Sequence, residues 1–259
     1  MPFVRAGAAD LYWKLEGPDG APPLVLLNSI GTDMDLWSEA LPLLRPAFQV
    51  LRIDTRGHGA SDAPEGDYDL PGLAQDLLQV MDAAGLNRAS LAGVSLGGMI
   101  AMQAALDAPG RIARLALICT SATMDAAAWR DRVARVRADG MAAIADLAMG
   151  RFLSPQFVSL RPEIANGVRR GLLSISAHGY AGCAAAIRDM DLIGRLETLK
   201  LPTLVVTGAR DTSTPLAGHG EHLLTTIAGA RWAELDAAHL APLEAPRALA
   251  ETMIEFLAA

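Results

Sequence analysis

Four short, mostly apolar runs constrain this chain most: residues 23–27, 49–54, 89–92 and 112–119. A strand without regular apolar–polar alternation is buried on both faces, and burial on both faces is the mark of a parallel sheet. Between the runs lie helical patterns at 35–44, 70–84 and 99–106, the second with Leu73, Leu77, Leu78 and Met81 on one stripe. Strands alternating with helices predict an α/β fold, a mostly parallel sheet with helices on both faces. Residues 3–15 alternate weakly, with 11–15 expected as an edge strand before the turn cluster Gly17-Pro18-Asp19-Gly20. From about residue 122 the strand signal stops. Helical stretches at 126–138, 141–149, 163–173 and 180–190 follow, with turns expected at Gly140, Ser154-Pro155 and Gly179. A strand at 201–208, a helix at 216–227, a strand at 231–235 and a helix at 246–257 then resume the first pattern. The expected organisation is a core of residues 1–121 and 197–259, with a helical cap of residues 122–196 over the carboxyl ends of the strands.

The third run ends in Gly93-Val94-Ser95-Leu96-Gly97, a G-x-S-x-G pattern between a strand and a helix. A sharp strand-to-helix bend lifts one side chain out of the sheet and crowds the backbone two residues either side of it, where only small residues fit. The helix start then offers unpaired N–H groups beside the serine oxygen, as a nucleophile that generates an oxyanion requires.

A serine hydroxyl needs a base, and the base needs a partner that fixes its tautomer. Asp211 lies in the loop after the strand at 201–208, and His239 in the loop after the strand at 231–235. Loops after parallel strands share one rim of the sheet. Ser95, Asp211 and His239 are therefore the candidate catalytic residues. His58, in Arg56-Gly57-His58-Gly59, is assigned a structural loop role; His178, His219 and His222 show no partner pattern. Asp33, Asp35 and Asp54 are weaker rivals to Asp211. The candidate oxyanion-hole donors are the backbone N–H groups of Leu96, next to the nucleophile, and Ile30, in the loop after the first buried run.

Composition narrows the partners. A net charge of -7 argues against nucleic acid, which needs a basic face. No apolar stretch is long enough to span a bilayer, and the first residues show no charged leader before an apolar run. Cys119 and Cys183 read as small core fillers, so a reducing cytoplasm fits. Histidines and cysteines lack metal-ligand spacing, and Gly57-His58-Gly59 does not continue as a dinucleotide fingerprint, so no cofactor and no metal are expected. The expected partner is a small carboxylic ester or lactone, with no nucleic acid and no membrane; a homo-oligomer stays open.

On these motifs the chain resembles the α/β-hydrolase superfamily nearly end to end. Within it, Asn28-Ser29-Ile30-Gly31-Thr32-Asp33 with Trp37, Asp54-Thr55-Arg56-Gly57-His58-Gly59 with Ser61, and the segments around Asp211 and His239 resemble the 3-oxoadipate enol-lactonases. In the expected cap, Trp129, Arg132, Gly140-Met141 and Gly179-Tyr180-Ala181 add to the match. The resemblance implies a serine hydrolase that opens a small carboxylated enol-lactone to 3-oxoadipate through an acyl-enzyme on Ser95. It also implies a cation for the substrate carboxylate. Arg132 is the candidate, because a guanidinium fork suits a carboxylate, and Trp129 is the candidate pocket wall. The alternatives on the same residues are a broad carboxylesterase, a carbon–carbon bond hydrolase, or a ligand-binding receptor that keeps the fold.

Overall fold

The computed structural model describes residues 2–258. Eight strands, β1 (Phe3–Ala6), β2 (Ala9–Glu16), β3 (Pro23–Leu27), β4 (Gln49–Ile53), β5 (Ala89–Val94), β6 (Ile112–Ile118), β7 (Thr203–Gly208) and β8 (Arg231–Leu235), form one sheet in the order β1-β2-β4-β3-β5-β6-β7-β8. The strands from β3 onward pair in parallel, and β5 is buried at every residue, as its lack of polar alternation requires. The amino-terminal segment departs from expectation. It is a hairpin turning at Gly7, where φ is +56°, and its two strands pair antiparallel. Residues 11–15 therefore lie one strand in from the edge, against β4, and β1 is the edge.

Eleven α-helices occur among the described residues: α1 (Leu41–Leu44), α2 (Leu70–Ala83), α3 (Leu96–Asp107), α4 (Ala126–Asp139), α5 (Ala145–Phe152), α6 (Pro155–Leu160), α7 (Pro162–Ser174), α8 (Ala177–Asp189), α9 (Glu221–Thr226), α10 (Ala241–Glu244) and α11 (Pro246–Leu257). The pair α2 and α3 packs on the sheet as one group, and α1 with α11 as another. The single helix expected over 35–44 is two short pieces, a 3-10 turn at Met34–Trp37 capped by the Asp33 carboxylate, then α1. The helix expected over 216–227 is also broken, because Ala217 and Gly218 leave helical geometry.

Helices α4 to α8 interrupt the sheet between β6 and β7. The ends of this insertion meet, the Leu192 N–H donating to the Ala122 carbonyl at 3.0 Å. Gly179, expected as a turn, is fully inside α8, which starts at the Ser176 cap. Its lack of a side chain serves packing instead. A Cβ on Gly179 would stand 2.4 Å from the Gly57 Cα, and a Cβ on Gly57 2.5 Å from the Gly179 Cα. The insertion and the loop after β4 thus touch backbone to backbone. Nearby, the Tyr68 N–H donates to the Gly182 carbonyl, and Asp67 pairs with both Arg137 and Arg188 from the insertion.

Candidate active site

Ser95 stands between β5 and α3 with φ 54° and ψ −116°, a conformation L-residues avoid. The surrounding glycines explain how the chain reaches it. A Cβ on Gly93 would lie 2.3 Å from the Gly97 carbonyl carbon, and one on Gly97 2.6 Å from the Leu27 carbonyl carbon. Strand and helix approach too closely for anything but hydrogen at both places. The bend is pinned by Ser95 N–H to the Ile118 carbonyl (3.0 Å) and by the Thr120 hydroxyl to the Ser95 carbonyl (2.6 Å).

Leu96 is the first residue of α3, so its N–H has no helical acceptor. Among the described residues the Ile30 N–H likewise meets no acceptor. Ile30 and Ser95 line one small hollow, together with Met99, Met124, Trp129, Arg132, Arg151, Phe152, Thr214 and His239.

Asp211 and His239 come together from the loops after β7 and β8. Those loops are joined by the Ala209 N–H to the Leu235 carbonyl (2.8 Å) and the Arg210 N–H to the Ala237 carbonyl (2.9 Å). His239 Nδ1 lies 2.9 Å from Asp211 Oδ2, which also accepts from the Thr214 hydroxyl at 2.8 Å. Asp211 Oδ1 accepts the Ser213 N–H at 2.7 Å and the Thr214 N–H at 3.2 Å. Burial pushes the Asp211 carboxyl up, but His239 and these donors outweigh it and hold the pKa down to about 2. The carboxylate is therefore ionised at neutral pH and calls for the Nδ1–H tautomer of His239, leaving Nε2 as a proton acceptor. The rival Asp54 is engaged elsewhere, accepting from the Met34 and Ala60 N–H groups. Asp33 caps the 3-10 turn, and Asp35 is an exposed partner of Arg52.

His58 is buried and supports the loop that carries Ile30. Its Nε2 accepts the Gly31 N–H at 3.0 Å, so the proton sits on Nδ1, which faces the Arg56 carbonyl at 3.3 Å. The Cys183 sulfur lies 4.0 Å away. Burial lowers the His58 pKa from 6.5 to about 4. The unfolded chain takes up a proton near 6.5 that the fold refuses until about 4, so folding is stabilised above that window and loses the contribution as pH falls through it. The full loss is about 3 kcal/mol, with roughly 2 kcal/mol gone by pH 5. Urea midpoints of wild type and His58→Gln at pH 7 and pH 5 check this: the glutamine variant should show the smaller drop. Equal drops would assign the titration to another group.

Two features escaped the sequence reading. Arg151, at the end of α5, faces the hollow beside Arg132, which lies over the Trp129 ring at 4.4 Å. Its only sequence signal is a lone charge in the stretch Met149-Gly150-Arg151-Phe152. Neither guanidinium has a carboxylate partner among the described residues, and burial followed by repulsion from Arg132 lowers the Arg151 pKa. The other is His219, whose Nδ1 meets the Ser121 hydroxyl at 2.8 Å although no partner was foreseen. Among the described residues no group of three His, Cys, Asp or Glu is placed to hold a metal ion, and no helix is long and apolar enough to cross a membrane.

Comparison with known proteins places the chain among similar ones. The family described as alpha/beta hydrolase fold matches residues 22–139. "3-oxoadipate enol-lactonase 2" of Acinetobacter baylyi is 33% identical over 239 residues, covering 92% of this chain and 89% of that protein. The crystal structure of the enol-lactonase from Burkholderia xenovorans superposes with a TM-score of 0.97 at 34% identity, over 100% of both chains. A hydrolase from Pseudomonas aeruginosa superposes with a TM-score of 0.94 at 41% identity, over 99% of this chain and 98% of the other.

Proposed function

The chain belongs to the α/β-hydrolase family, and on that premise we propose that it is a serine hydrolase that opens a small enol-lactone bearing a free carboxylate, 3-oxoadipate enol-lactone. In this reading residues 122–196 form a cap over the site. The observation that carries the substrate class is the pair Arg132 and Arg151. Two half-buried guanidiniums face the hollow of Ser95 and His239 without a carboxylate partner of the protein's own. Holding two like charges together in a partly dry site is unfavourable, and an anionic ligand relieves it. A guanidinium also takes a carboxylate through two parallel hydrogen bonds. The enol-lactonase relatives support the same choice.

The chemistry follows from the residues. His239 Nε2 takes the Ser95 proton as Oγ bonds to the lactone carbonyl carbon. The negative charge that develops on the carbonyl oxygen is met by the Ile30 and Leu96 N–H groups. The ring C–O bond then breaks, the enol oxygen leaves with the proton from His239, and the enol ketonises. His239 next takes a proton from water, which attacks the acyl carbon. The C–O bond to Ser95 breaks, Oγ recovers its proton, and 3-oxoadipate departs.

Steady-state hydrolysis of the lactone beside neutral p-nitrophenyl acetate tests the assignment. Charge-assisted bonds of about 1.5–3 kcal/mol predict that Arg132→Met and Arg151→Met each lower kcat/KM for the lactone by roughly 10- to 150-fold. Turnover of the neutral ester should change by only a few fold. Wild-type turnover of the ester without the lactone would favour the broad carboxylesterase instead.

A further inference from the structure

The Glu244 carboxylate, at the end of α10, ties the loop carrying His239 to the cap. Its Oε1 accepts the Ser154 N–H at 2.5 Å. Its Oε2 accepts both the Ser154 hydroxyl at 2.9 Å and the Ala238 N–H at 3.2 Å. Ser154 is the residue that starts α6, where its oxygen also accepts the Phe157 N–H. Ala238 immediately precedes His239. Two further contacts cross the same joint. The Leu240 N–H donates to the Phe152 carbonyl at 3.0 Å, and the Phe152 ring lies nearly parallel to the His239 ring, 9° apart in plane with centroids 6.3 Å apart. Residues 152–154 of the cap and 238–240 of the loop therefore form one unit, closed by a single carboxylate.

We propose that Glu244 is a positioning residue for His239, making the placement of the imidazole and the seating of the cap corner over the substrate a single arrangement. The proposal rests on the reading of His239 as the general base. Glu244 does not line the hollow; it acts through the Ala238 peptide on one side and through Ser154, two residues after Phe152, on the other. A carboxylate suits this role because its oxygens accept and all three partners donate. Without it, the Ala238 and Ser154 N–H groups lose their acceptor and the loop is free to shift. A displacement of about 1 Å at a reacting group costs roughly 10²-fold in rate.

The test is the kcat-against-KM split of Glu244→Ala and Glu244→Gln on p-nitrophenyl acetate and on the lactone, with His239→Ala alongside. Glu244→Ala should lower kcat by roughly 10²-fold while KM stays within a few fold. Glu244→Gln should recover about tenfold of that loss and stay several-fold below wild type. Its amide oxygen can still take the Ala238 N–H and the Ser154 hydroxyl, whereas its amide nitrogen opposes the Ser154 N–H. A low-field NMR signal from the Nδ1 proton of His239 should be shifted or broadened in Glu244→Ala. Wild-type kcat and an unchanged signal in both variants, or a loss carried by KM alone, would overturn the proposal. Full activity in His239→Ala would instead overturn the reading of the site on which it stands. Should Glu244→Ala fail to fold, Glu244→Gln decides: an intermediate kcat at unchanged KM supports positioning, and a wild-type kcat refutes it.

Discussion

Replacing Ser95 with alanine should lower turnover by at least about 10⁴-fold, because it removes the atom proposed to attack the lactone carbonyl and carry the acyl group. The substitution is a clean probe here. The φ of 54° at Ser95 is imposed by the close approaches at Gly93 and Gly97, and alanine meets the same constraint with the same Cβ. The protein should melt within a few degrees of wild type and still bind its substrate. Residual rate would come from the Ile30 and Leu96 N–H groups and the arginine pair, which the substitution leaves in place. Measured kcat/KM on both substrates, with a melting curve, decides the point. Retention of a tenth of the wild-type rate in a folded variant would remove Ser95 from the mechanism.

Asp211→Asn should cost about 10⁴-fold in kcat with little change in fold. The reason lies in which oxygen takes which partner. Oδ1 accepts two backbone N–H groups, from Ser213 and Thr214, so an asparagine must put its carbonyl oxygen there. Its NH₂ group then occupies the place of Oδ2, facing His239 Nδ1. A donor in that place demands an unprotonated Nδ1, moving the ring proton to Nε2, where it can no longer accept from Ser95. The variant keeps the shape of the site and has the wrong tautomer. A loss below tenfold on the neutral ester would mean that His239 is oriented by something other than Asp211.

The sheet and these loops were legible in the sequence because they obey short-range rules. Runs such as 112–119 declare a buried strand by composition, and Gly93 and Gly97 declare a bend that excludes side chains. What stayed hidden depends on residues that meet only after folding. Gly179 reads as a helix breaker by propensity, yet it sits inside α8 because the Gly57 backbone occupies the space a side chain would need. Arg151 and Glu244 fall outside the expected helices and read as ordinary isolated charges. Their partners, Arg132 in one case and Ser154 with Ala238 in the other, lie on different elements, and no local pattern brings them together. The hairpin at Gly7 was missed for a related reason, since two short strands separated by two residues blur into one weak alternation.

The contact between Gly57 and Gly179 limits how this protein can be recombined. Substrate choice in such a scaffold invites exchange of the helical insertion between relatives as a cassette. The cassette here is not self-contained, because its seat includes a glycine in the loop after β4 as well as one in α8. A donor insertion with alanine at the α8 position would meet the recipient's Gly57 backbone well inside van der Waals distance, and a recipient lacking Gly57 would reject this insertion. The two glycines must therefore be inherited together, although they stand on separate elements of the chain. Libraries that diversify the hollow while holding both fixed should yield far more folded members than libraries that place a side chain at either position.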